Sequence, residues 1–142
     1  MANIVELRDM PDSQLEEKLE DNREELFNLR FRTATSQLED YSRIRTVRRE
    51  VAQLQEALHK RRAAVDTAAG HPEIAAVLDG QEWSGAAHFD YEASAWLVEF
   101  TDDDGETVAT ASVNLNKIRR STRRARRGKR ASERVKNVEV TG

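Results

Sequence analysis

Two clusters of cations carry the chemistry this sequence can do. The denser one runs through Arg119, Arg120, Arg123, Arg124, Arg126, Arg127, Lys129 and Arg130, eight cations in twelve residues. Such a run repels itself and cannot pack in a core, so it is expected to be disordered in isolation. Phosphates would neutralise it, and each neutralised phosphate releases counterions. Arginine-rich segments often fold only on RNA. An internal alternative is the strongly acidic segment that precedes the run. A membrane surface is disfavoured, because no apolar stripe accompanies the charge. The second cluster is Arg30, Arg32, Arg43, Arg45, Arg48 and Arg49. Arg45 and Arg49 are i,i+4 neighbours and Arg48 is adjacent, so one sector of a helix is basic. Arginine forks suit phosphate geometry; the alternative is a solvated charged face.

Other chemistries find no support. Cysteine is absent, which removes disulfides, Cys-ligated metals and a thiol nucleophile. His59, His71 and His88 lack metal-ligand spacing. The string from Asp102 to Glu106 resembles the start of a Ca²⁺ loop, but Ala111, Ser112 and Val113 stand where its bidentate Glu belongs. Neither nucleotide-binding glycine loop occurs, and no carboxylate sits in an apolar surround that would mark an acid–base pair. The reading is a non-enzyme with no cofactor, no metal and no small-molecule substrate.

The elements that must position the cations follow from periodicity. Leu15, Leu19, Leu26 and Leu29 form one helical stripe, with Phe27 and Phe31 as a second apolar surface. Pro11-Asp12-Ser13 signals its start, with Asp12 as cap or Ser13 and Glu16 as a capping box. Ile44, Val47, Val51, Leu54, Leu58 and Val65 follow a heptad spacing after a second start at Asp40 or Ser42. Two such stripes joined by a few residues predict a long antiparallel helical hairpin. Pro72 to Leu78 predicts a short helix ended by Asp79-Gly80. Alternation through Phe89 and Tyr91, Trp96 to Thr101, and Val108 to Leu115, with Asp104-Gly105 as a turn, predicts a three-stranded meander. The fold class is therefore mainly α, a hairpin followed by a small helix, a three-stranded β-meander and a basic tail.

Charge divides the 142 residues in the same places. Net charge is −3 overall, yet residues 65–116 hold 11 acidic side chains and no Lys or Arg, while residues 117–142 hold 11 basic and 2 acidic ones. Three segments are expected: a hairpin domain over 1–65, an acidic α+β extension over 66–116 and an arginine-rich tail over 117–142. No apolar run is long enough to span a membrane. The N-terminus, with Glu6 and Asp9, reads as neither secretory signal nor transit peptide, so a cytoplasmic setting is expected.

The ordered blocks add a resemblance. Leu7 to Met10, Leu15 to Leu19, Glu24 to Arg32, Ala34 to Glu39 and Arg43 to Ala52, in this order and at this separation, resemble the bacterial large-subunit ribosomal protein twenty-nine family over residues 1 to about 63. The resemblance implies a two-helix hairpin with a structural role, binding large-subunit rRNA near the mouth of the peptide exit tunnel beside ribosomal protein twenty-three. By position it implies RNA contacts from Asn28, Arg30, Arg32, Thr35, Gln37, Arg43, Arg45, Arg48 and Arg49. Arg32 replaces the family's usual Gln, Ser36 stands where the family usually has Gly, and Asp40-Tyr41 stands for its Asn-Pro. Since Ser does not take positive φ freely, a reshaped turn is expected. A coiled-coil interaction module whose basic tail binds nucleic acid non-specifically is the other reading of the same pattern.

Overall fold

The computed structural model describes residues 3–37, 39–117 and 133–141. The chain divides into two compact units, Met1–His59 and Lys60–Gly142.

The first unit is the helical hairpin. Its long helices are α2, Asp12–Ala34, and α3, Ser42–Ala69, the latter continuing into the second unit. Leu15, Leu19, Leu54, Ala57 and Leu58 are buried in one cluster, as the two stripes predict. Leu29 and Val47 are also buried. Each fully buried Leu contributes roughly 1.5–3 kcal/mol by area.

A helix not anticipated from periodicity precedes them: α1, Ile4–Asp9. It is too short to show a stripe, but it buries Leu7 in the same cluster. Asn3 and Glu6 form a reciprocal capping box at its start. The expected cap of α2 by Asp12, or by Ser13 with Glu16, is corrected. Pro11 occupies the N-cap and makes no side-chain cap bond. Asp40 does prepare α3. Its carboxylate accepts from the Ser42 backbone N–H at 2.8 Å and the Ser42 hydroxyl at 2.6 Å.

The end of α2 keeps a glycine-like geometry without glycine. Ser36 adopts φ 58°. Its N–H donates to the Thr33 carbonyl, and Gln37 N–H donates to the Arg32 carbonyl at 2.8 Å. This crossed pair satisfies the orphan carbonyls of the last turn, and its left-handed residue is the position that favours Gly.

In the second unit, α4 spans Pro72–Leu78. Four strands follow: β1, Trp83–Asp90; β2, Ala95–Asp102; β3, Thr107–Val113; and β4, Val135–Val140. They form an antiparallel sheet in the order β1-β2-β3-β4. The expected three-stranded meander is thereby corrected to four strands. The added strand comes from beyond the basic run. Along β2 the alternation holds: Trp96, Val98 and Phe100 are buried while Leu97 and Glu99 are exposed. The buried face packs with Ala109, Ala111 and Val113, with Ile74 and Leu78 of α4, and with Ala64 and Ala68 of α3. Trp83 meets Phe100 and Phe89 meets Trp96 edge to face, at centroid distances of 5.4 and 5.2 Å. A Cβ built on Gly85 would lie 2.6 Å from Val65 Cγ1, so this glycine lets α3 approach β1.

At the β2–β3 turn, Asp102 Oδ1 accepts from the N–H groups of Asp104 and Glu106, and Gly105 takes φ 83°. The acidic string thus serves turn chemistry.

Ser36→Gly removes the penalty of a side chain in the left-handed region, and should stabilise the protein by about 1 kcal/mol. Chemical denaturation followed by helix circular dichroism measures this, and an unchanged or lowered midpoint contradicts it.

Candidate nucleic-acid interface

The hairpin gathers the family-implied positions at the end of α2 and the start of α3. Asn28, Arg30, Arg32, Thr35, Gln37, Arg43, Arg45, Arg48 and Arg49 are all exposed. Exposure alone does not make them equivalent, because each helix turns about 100° per residue.

On α3, Arg45, Arg48 and Arg49 fall roughly 100° to 200° from the buried Val47, on the face turned away from the seam. The structure thus brings these three together as one outward cationic sector. Arg43 lies only about 40° from Val47, towards the partner helix. There its Nε donates to Glu25 Oε1 at 2.7 Å and its Nη2 to Glu25 Oε2 at 2.9 Å. This fork ties α2 to α3. The Arg43 guanidinium holds the Glu25 carboxyl below the ordinary carboxylate range, and Glu25 in turn raises Arg43. Asp40, bonded by the Ser42 hydroxyl and N–H, is also held below its ordinary value.

On α2 the candidates separate. Arg30 and Arg32 flank the buried stripe on opposite sides. Asn28 and Arg32 share a shallow groove with Asp21, Glu24, Glu25 and Leu29, so acid surrounds them. Thr35 commits its hydroxyl to the carbonyls of Phe31 and Arg32, both at 3.2 Å. Phe27 and Phe31 were missed as surface residues. They are 68% and 61% exposed, about 160° from Leu29 on the outer side of α2. Their signal was present: they lie four apart and out of register with the leucines.

Arg119, Arg120, Arg123, Arg124, Arg126, Arg127, Lys129 and Arg130 lie outside the described residues. The flanking residues are informative. Val113 pairs with Val135, Asn114 N–H donates to the Arg134 carbonyl at 2.8 Å, and Arg134 Nη2 donates to the Leu115 carbonyl at 3.0 Å. The described residues that flank the basic run in sequence thus belong to two neighbouring strands. Among the described residues no three His, Cys, Asp or Glu side chains converge as a metal site, and no helix is long and apolar enough to cross a membrane.

The hairpin thus presents exposed arginines on both helices near its turn. Residues 5–61 match the family model described as Ribosomal L29 protein. Over 68 residues the chain is 43% identical to large ribosomal subunit protein uL29 of Mycobacterium ulcerans (strain Agy99), covering 48% of this chain and 85% of that protein. Over 56 residues it is 50% identical to uL29 of Staphylococcus aureus (strain JH9), covering 39% of this chain and 81% of that one. The chain belongs to the uL29 family of large ribosomal subunit proteins, a family of structural constituents.

The Arg43–Glu25 fork lies at the surface of the hairpin. Both side chains are partly exposed, so screening keeps the gain small. Glu25→Gln should lower the denaturation midpoint slightly at neutral pH. Because Glu25 is depressed in the folded state, its contribution is complete above the unfolded glutamate value of about 4.3. It is lost as pH falls through Glu25's lower folded value. The wild-type and variant midpoints should therefore converge in acid; a gap that persists or widens there contradicts the assignment.

Proposed function

We propose that this chain binds large-subunit rRNA through the turn end of its hairpin, near the peptide exit tunnel and beside ribosomal protein twenty-three, in the cytoplasm. The observation that carries this reading is the outward sector of Arg45, Arg48 and Arg49, opposite the buried seam. Three adjacent cations on a solvent-facing sector repel one another, and phosphates relieve that repulsion. Arg30 and the exposed faces of Phe27 and Phe31 extend the contact surface on α2, with Asn28, Arg32, Thr35 and Gln37 as peripheral contacts. Arg43 acts chiefly as the clamp that fixes the two helices.

The strand-bounded basic run, Arg119 to Arg130, is the second RNA-binding element of this reading. Its eight cations in twelve residues repel one another, and phosphates would neutralise them. The acidic residues 66–116 stay clear of the phosphates, since they carry no Lys or Arg.

The test is reconstitution of large subunits with a variant in which Arg45, Arg48 and Arg49 are all Gln. Incorporation should weaken with helicity unchanged. The salt slope of binding should fall by about one for each lost phosphate contact. Replacing the eight cations of the run by Gln should lower the slope independently. Wild-type incorporation and salt dependence in the triple variant would overturn the assignment.

A further inference from the structure

We infer that the outer edge of β1 is a docking edge for an extended, Lys/Arg-rich segment of another ribosomal protein, added to the sheet as a fifth strand. The inference rests on the chain's place in the large subunit.

β1 is terminal in the sheet, and among the described residues no strand pairs with its outer side. It is eight residues long, about 27 Å. Its register with β2 is unbroken from Trp83↔Asp102 to Asp90↔Ala95, so no bulge turns the edge away. It contains no Pro, Lys or Arg. Residues 83–86 and His88 are exposed.

Proteins protect such edges with bulges, charges, prolines or short strands. The other edge of this sheet does so. β4 has six residues, including Lys136 and Glu139; its register with β3 shifts, and Asn137 takes φ 52°. Of these devices β1 has only Asp90, at its end. Its small side chains, Ser84, Ala86 and Ala87, also leave an approaching strand unobstructed. Gly85 is already explained by the contact with Val65.

Charge selects the occupant. Glu82 precedes the strand, Asp90 ends it and Glu92 follows, within a segment of 11 acidic residues and no Lys or Arg. A phosphate backbone is repelled. A second copy paired β1 to β1 would set acid against acid. A cationic polypeptide is attracted, and main-chain hydrogen bonds to the strand would provide its affinity.

The experiment compares hydrogen exchange of the full-length chain, free and in purified large subunits. A photo-crosslinking residue replaces Ala86, which is exposed and paired with Glu99. Alternate amides over 83–90 should exchange about tenfold or more slowly in the subunit, and the crosslinked peptide should be rich in Lys or Arg and belong to another protein. Ala86→Lys should remove this protection and Ala86→Glu should keep it, with equal melting temperatures for both free proteins. Unchanged exchange, or crosslinks to rRNA or to a second copy, would overturn the inference. Recovery of the chain on salt-washed subunits reads subunit membership separately.

Discussion

Burial of the seam between α2 and α3 determines where every hairpin arginine points. Leu15 and Leu19 on one helix and Leu54 and Leu58 on the other must leave water, and this fixes the rotation of both rods. Once Val47 is inside, Arg45, Arg48 and Arg49 are outside by helical geometry alone. Arg43, four residues before Val47, is drawn to the inter-helix side and finds Glu25. The cationic face is thus a consequence of apolar packing. The Arg43 fork, the Ser36 turn and the Asp40 contact with Ser42 then set the end of the hairpin, where the two helices present their cations.

Much of this was legible in the sequence because it is periodic. The leucine stripe, the heptad and the alternation in β2 and β3 each repeat often enough to identify an element. What escaped was short, broken or tertiary. α1 has six residues and no repeat, although Asn3 and Glu6 stood at capping-box spacing. β4 lies behind the basic run, and Asn137 at φ 52° breaks its alternation, leaving Val135, Val138 and Val140 without a period of two. The last turns of α3 use Ala64 and Ala68, too small to register as a stripe, to pack against the sheet's core.

The site was legible in outline and not in roles. Sequence alone places Arg43 with Arg45, Arg48 and Arg49. Only the fold brings Glu25, eighteen positions away, against its guanidinium. Phe27 and Phe31 read as a second apolar surface, and the rotation of α2 leaves them on its outer side, exposed. The Ser36 substitution reads as a reshaped turn, yet the backbone adopts the left-handed conformation and retains the crossed hydrogen bonds. The crossed bonds from Ser36 and Gln37 satisfy the Thr33 and Arg32 carbonyls at the end of α2 without a glycine.

The second unit separates charge in a way the hairpin does not. Three of its four strands come from the acidic segment, while β4 follows the basic run in the sequence. The described residues on either side of that run, Val113 and Val135, pair with each other. The central claim is that the outward arginines of α3 meet rRNA. Ultraviolet crosslinking of large subunits containing the full chain, with mass spectrometry of the adducts, tests it most directly. The account predicts RNA adducts on the peptides carrying Phe27 to Gln37 and Arg43 to Arg49, with none on Trp83 to Asp102. Adducts confined to the sheet, or a hairpin crosslinked only to protein, would contradict it.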